Sequence, residues 1–162
     1  MFRRVLIALT ACMLAAAPAM AEELETESAD VLEVEGEIYS IKIRSAEIIE
    51  EADNYCDPVT PDKGDVFLVV NFEAKNISDA DDYFNRLNFI AYADDFEVEQ
   101  TDYMLPDDPD MMTGDIVAGK GLRGYLIFAV PEDWETFEVY YEETFGADKL
   151  MLGFTSDSEV FD

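Results

Sequence analysis

Apolar and polar residues alternate along most of this chain, and no long stretch carries a helical period. The clearest run covers residues 66–75, where Val66, Leu68, Val70, Phe72 and Ala74 share one face of an extended strand. Residues 122–130 repeat it with Leu122, Leu126, Phe128 and Val130, and Pro131 ends the run. Shorter strands are predicted at 137–141 (Phe137, Val139, Tyr141) and 150–154 (Leu150, Leu152, Phe154). Upstream, 38–49 sets Ile41 and Ile43 on one face, then Ala46 and Ile48 with the parity switched. A one-residue switch of this kind predicts a bulge. Residues 86–93 and 96–101 read as a hairpin, with Leu87, Phe89, Ala91 and Ala93 inward in one arm and Phe96 and Val98 in the other. Pairing Ala93 with Phe96 across an Asp94-Asp95 turn then brings Ala91 opposite Val98. The stretches 53–64 and 103–120 carry Pro58, Pro61, Pro106, Pro109 and Gly114 and are expected as loops. About seven short strands without helices predict an all-β fold, an antiparallel β-sandwich of immunoglobulin type. Trp134, just after Pro131 at a strand crossing, is expected to plug the end of the core.

Four residues break the alternation. Phe67 and Val69 are apolar on the outward parity of their strand, and Tyr125 and Ile127 repeat this on theirs. In an immunoglobulin topology the two strands are neighbours, so the four would form one outer patch. Such a patch marks an interaction surface unless something covers it, and the 103–121 loop or the N-terminal segment is the expected cover.

The N-terminus changes the setting. Arg3 and Arg4, an apolar run over 5–17, and Ala19-Met20-Ala21 read as a signal peptide spanning residues 1–21, removed after Ala21. Its apolar run is too short to span a membrane as a helix. The alternative is lipidation at Cys12 within Leu9-Thr10-Ala11-Cys12, which would place the protein at the cell envelope as a lipoprotein rather than secreted. Residues 22–37 are acidic, lack aromatics and read as a disordered spacer; 38–162 form the domain.

Charge and cysteine narrow the partners. The chain carries 38 acidic and 10 basic residues, a formal charge of −28, and losing Arg3 and Arg4 makes it more negative still. Nucleic acid and anionic membrane surfaces are repelled; cations or a basic partner are attracted. After cleavage only Cys56 remains, so no intramolecular disulfide forms, and acidic neighbours make Cys56 a structural thiol rather than a nucleophile.

Three segments together resemble a family of bacterial domains of unknown function. The first is Val69-Val70-Asn71-Phe72-Glu73-Ala74-Lys75-Asn76-Ile77-Ser78, a strand ending in Asn before a polar turn. The second is the hairpin over 87–100. The third is Gly119-Lys120-Gly121 followed by Leu122-Arg123-Gly124-Tyr125-Leu126-Ile127-Phe128-Ala129-Val130-Pro131 and the strand over 137–141. The family consists of secreted or cell-surface domains described as telokin-like, which share the immunoglobulin-like sandwich of a mycobacterial immunoprotective antigen. The resemblance implies that fold over about 38–154 and carries over no catalytic residue. The Asp94-Asp95 turn departs from it, since a glycine is more usual there.

The chemistry is limited. With 0 histidines, histidine-based nucleophilic catalysis and histidine metal sites are excluded. Gly119-x-Gly121-x-x-Gly124 opens a strand rather than a helix and is no dinucleotide motif. Carboxylate pairs alone could serve a small hydrolase, but with so many acids any pair meets the distance test by chance. Calcium is the one ion to weigh, with Asp79, Asp81 and Asp82 on one turn and Asp107, Asp108 and Asp110 in the long loop, though neither run has EF-hand spacing. Solvated turn residues are the simpler reading. The sequence therefore predicts a secreted, non-enzymatic binding module without a cofactor, for an unknown protein or cell-surface ligand. A calcium-dependent or lipid-anchored envelope module is the alternative.

Overall fold

The computed structural model describes residues 30–54, 57–105, 112–144 and 148–161. The expected leader, Cys12, Cys56, Asp107, Asp108 and Asp110 lie outside the described residues. Seven strands match the alternation: β2 (Tyr39–Ile49), β5 (Asp65–Asn76), β7 (Phe89–Ala93), β8 (Phe96–Gln100), β10 (Gly121–Pro131), β11 (Thr136–Glu142) and β12 (Lys149–Thr155). Five more, each of three residues, were not expected: β1 (Glu33–Glu35), β3 (Ala52–Asn54), β4 (Asp57–Val59), β6 (Asp82–Phe84) and β9 (Gly114–Ile116). The only other regular elements among the described residues are two 3₁₀ turns, Arg86–Asn88 and Glu159–Phe161.

The long strands run antiparallel in the order β1-β2-β5-β10-β8-β7-β11-β12. They fold over as a sandwich, with β1, β2, β5 and β10 in one layer and β8, β7, β11 and β12 in the other. Strand β8 joins the layers because it pairs with both β7 and β10. At the far edge Val31 and Gly153 exchange backbone hydrogen bonds of 2.8 and 3.0 Å, tying the start of β1 to β12. This bridge pins the two edges together at one point, which shortens the ladder left open to another chain.

Parity and register follow the alternation. The hairpin pairs Ala93 with Phe96 and Ala91 with Val98. The bulge lies between Ile43 and Ser45, and beyond it Ala46 returns to the core opposite Val70. Leu68, Val70, Phe72, Leu126, Phe128, Phe137, Val139 and Leu152 fill the interior. Aromatic rings close both ends. Trp134 packs edge-on to Phe137 and Phe154, as expected of a plug, while Phe84 stacks on Tyr141 at 4.7 Å at the other end.

Some expectations are corrected. Leu87 is 69% exposed, because Asn85 caps a 3₁₀ turn there and the strand starts only at Phe89. Phe96 keeps its register but is 76% exposed at the hairpin tip. Ile48, one residue from the end of β2, is exposed as well. The spacer reading of 22–37 fails at its C-terminal end, where β1 pairs with β2 and Leu32 and Val34 pack on the core. Two apolar residues separated by one glutamate are too short a pattern to count as periodic.

A carboxylate fixes this entry into the sheet. Glu143 accepts hydrogen bonds from the backbone N–H groups of Glu37, Ile38 and Tyr39 at 2.9, 3.0 and 2.6 Å. A side chain at Gly36 would fall within 2.4 Å of that carboxylate, so glycine is what lets Glu143 reach the amides.

Candidate functional site

Phe67, Val69, Tyr125 and Ile127 do lie on adjacent strands, with Val69 directly opposite Ile127, but they form no exposed patch. All four are 2% exposed or less. Ala52 and Val59 of the β3–β4 hairpin, with Tyr103 and Leu105, close over them as a second small core. Asp53 and Met104 exchange backbone bonds of 2.8 and 2.9 Å, adding the 103–105 segment to the hairpin's edge. The Tyr125 hydroxyl accepts a 2.9 Å bond from the Leu105 N–H, so its polar end is satisfied inside the apolar layer. The reading of these four as an interaction surface is therefore overturned: the 103–121 stretch supplies cover as expected, through Tyr103 and Leu105, and the β3–β4 hairpin adds Ala52 and, from the 53–64 stretch expected as a loop, Val59.

The acidic turn serves structure. Asn76, fully buried, donates to the carbonyls of Ala80 and Ile116 at 2.7 and 2.9 Å and accepts from the Ser78 backbone N–H and hydroxyl. Asp81 accepts from the Ala118 N–H, and Asp82 from the Tyr39 hydroxyl and its neighbour's N–H. Asp79 is exposed. Among the described residues no three histidine, cysteine, aspartate or glutamate side chains converge as a metal site.

The hairpin turn explains its own departure from glycine. Asp94 and Asp95 have φ of 48° and 68°, the left-handed pair of a type I′ turn. The Asp94 carboxylate accepts from the backbone N–H groups of Glu135 and Thr136 and from the Thr136 hydroxyl, tying the turn to β11. Burial pushes the Asp94 carboxyl up, but the Thr136 and Glu135 amides outweigh it and hold it below the usual range. A glycine would fit the backbone and lose that tie.

The outer face of β7, β11 and β12 is left open. Tyr140 lies opposite Ile90 on one side and Met151 on the other, and its ring meets Tyr92 edge-on at 5.8 Å. The Tyr140 hydroxyl donates to Glu138 at 2.6 Å. That bond, with partial burial and the nearby negative charges, pushes the phenol up to about 12. A shallow recess of about 340 Å³ forms here between Tyr92, Tyr140, Asp95, Glu138 and Lys149. A second cleft of about 510 Å³ runs where the β3–β4 cover meets the sandwich. Asp62, Asp65, Glu99 and Asp102 rim it over Phe67 and Tyr103. The sequence reading missed both. Tyr92 and Tyr140 on outward parity were a usable signal for the first; the second depends on the cover and had none.

An all-β, two-layer antiparallel sandwich is thus the class of the fold. Residues 33–150 match the family model DUF4352, a domain of unknown function, and the chain belongs to that family. The match does not extend to the mycobacterial antigen suggested by the resemblance. No curated protein matches the sequence. Among solved structures, the chain is similar to a Bacillus subtilis protein described as a candidate lipoprotein (ycdA), with a TM-score of 0.65 and 21% identity, covering 80% of this chain and 40% of that one. The chain therefore spans less than half of that relative. A conserved hypothetical protein from Bacillus anthracis gives a TM-score of 0.53 at 12% identity, covering 74% of this chain and 91% of that one. A functionally unknown protein from Listeria monocytogenes EGD-e gives 0.52 at 14%, covering 78% and 82%. At these identities the likeness is one of fold.

Proposed function

We propose that this is an exported, non-catalytic binding module, and that its working surface is the outer face of β7, β11 and β12. Its partner presents positively charged side chains. One observation carries the reading: Tyr92 and Tyr140 stand on an uncovered sheet face beside Asp95 and Glu138, while the comparable apolar face of the other layer is sealed by the chain itself. Tyrosine rings attract lysine or arginine through their faces, and flanking carboxylates add charge-assisted hydrogen bonds. A net charge of −28 steers a basic partner toward the whole molecule, and the acidic cleft beside the cover adds to that field. Export rests on the leader. Anchoring through Cys12 is the second reading, favoured by the likeness to a protein described as a candidate lipoprotein. Among the described residues no helix is long and apolar enough to cross a membrane. Kinship with the telokin-like antigen group fits the same picture.

Calorimetric titration with a hexa-arginine peptide at 0.15 M salt tests the reading. Tyr140→Ala and Glu138→Gln should each weaken binding by about three- to tenfold, the scale of one cation–π or ionic contact. Asp79→Asn, on the distant turn, should change it less than about twofold. Equal losses at Glu138 and Asp79 would reduce the effect to bulk charge and end the assignment of this face. Tyr140-dependent binding of a neutral oligosaccharide, with no response to the peptide, would replace the basic partner with a glycan.

A further inference from the structure

Among the described residues, basic side chains gather on a face the reading above does not use. Of the 10 basic residues in the chain, Lys42, Arg44, Lys75 and Arg123 share the open half of the β2-β5-β10 outer face. This half lies beyond the β3–β4 cover.

The bulge builds the centre of this island. Regular alternation would send successive side chains to opposite faces, but the extra residue at the bulge lets both Arg44 and Ser45 face outward. Ser45 then lies opposite Asn71, which donates to its hydroxyl at 3.2 Å. One rung along, Arg123 lies opposite Glu73. Arg44 Nη1 and Arg123 Nε both donate to the same oxygen, Glu73 Oε2, at 2.9 and 2.7 Å. The Arg123 hydrogen bond leads in holding the Glu73 carboxyl below its usual range, against a burial effect that opposes it, and Arg44 adds to it.

Two guanidinium groups thus share one carboxylate, and one positive charge is left over. Each guanidinium has five N–H donors, of which the pairing with Glu73 uses few. Both arginines are open to solvent, at 45% and 68% exposure. Together with Ser45, Asn71 and the backbone at Gly124 they line a recess of about 470 Å³. Glu73 shows that the pair accepts a carboxylate oxygen from two sides, and the same guanidinium donors match the oxygens of a phosphate.

We propose that Arg44 and Arg123, with Ser45 and Asn71, form a binding site for a compact phosphate-class oxyanion, and that Glu73 is its internal competitor. Size follows from the surroundings. The Debye length is about 8 Å at physiological ionic strength, so a small anion in the recess feels the two arginines in contact with it more than the acids on the other faces, with Glu73 its competitor in direct contact with the pair. An extended anionic surface meets the strongly negative remainder of the molecule and is repelled. The ligand is therefore a free phosphate or a phosphate monoester rather than a phospholipid bilayer.

Amide-shift titration of the protein with inorganic phosphate at low salt tests this. Saturable shifts should centre on Arg44, Ser45, Arg123 and Gly124. Arg123→Gln and Arg44→Gln should each weaken binding by roughly tenfold, the scale of a lost charge-assisted hydrogen bond. Glu73→Gln should strengthen it several-fold, because it removes the competitor without removing a donor. A purely structural ion-pair cluster predicts no saturable shift in the wild-type protein or in Glu73→Gln, and that result overturns the proposal. So does phosphate binding that survives both arginine substitutions. Vesicles containing phosphatidylglycerol should not bind; arginine-dependent vesicle binding without a response to free phosphate would also overturn it.

Discussion

The two outer faces of this sandwich begin from the same sequence pattern and end differently. On β5 and β10, outward parity carries Phe67, Val69, Tyr125 and Ile127; on β7, β11 and β12 it carries Ile90, Tyr92, Tyr140 and Met151. The first set is sealed under the β3–β4 hairpin and the 103–105 segment, while the second remains half-open to solvent. The difference shows in the side chains themselves. The sealed face places its one hydroxyl group, on Tyr125, on a backbone amide of the cover. The open face gives its Tyr140 hydroxyl to an exposed carboxylate, a partner that tolerates water. Apolar residues on an outer face therefore do not by themselves identify a binding surface. Whether the chain can spare another segment to cover them decides it.

The sharpest way to break this comparison is to place a polar residue on each face. Val69→Asp or Ile127→Asp should destabilise the protein by more than about 3 kcal/mol, since an unpaired carboxylate is forced into a dry layer. Tyr92→Ser on the open face should cost under about 1 kcal/mol. Urea denaturation measures both, and similar losses would mean that the cover is loose or that the second face is also sealed.

A smaller effect separates the two tyrosines. Tyr125→Phe should cost about 1–2 kcal/mol, because the part-buried Leu105 N–H loses its acceptor. Tyr140→Phe should leave neutral-pH stability nearly unchanged. A loss at Tyr140 as large as that at Tyr125 would contradict the assignment of open and closed faces.

The smallest effect is a pH dependence. Glu138 and its surroundings hold the Tyr140 proton up to about 12, against 10.0 for an ordinary tyrosine. Between these values the unfolded chain releases a proton that the folded chain keeps, so stability falls as pH rises through that window. Below pH 10 both states keep the proton, so this group adds no pH dependence there. Burial, ahead of opposing hydrogen bonds from Asn85 and Asn88, raises Tyr141 to about 12 as well, so Tyr140→Phe should flatten only part of the decline. Thermal melts between pH 9 and 12 would show this, and an unchanged slope in Tyr140→Phe would remove the Glu138 bond from the account.

The sequence by itself determined the strands that repeat a two-residue period for five residues or more. It also determined the hairpin register at Ala91 and Val98, the parity switch after Ile43, and Trp134 as the end plug. These are local consequences of side chains alternating across a pleated backbone, and each can be read within a dozen residues. The tertiary structure alone decided the rest. Strands β1, β3, β4, β6 and β9 have three residues each, too few for a period to register, and they exist because distant backbone offers them partners. Asp53 meets Met104, and Val31 meets Gly153, across separations that no local pattern encodes. The same holds for function. Arg44, Glu73 and Arg123 are unremarkable surface charges in sequence, and only the stacking of β2, β5 and β10 brings them to one carboxylate oxygen. Closing a face or assembling a recess depends on which remote segments satisfy one another's hydrogen bonds, and that is settled by packing in three dimensions.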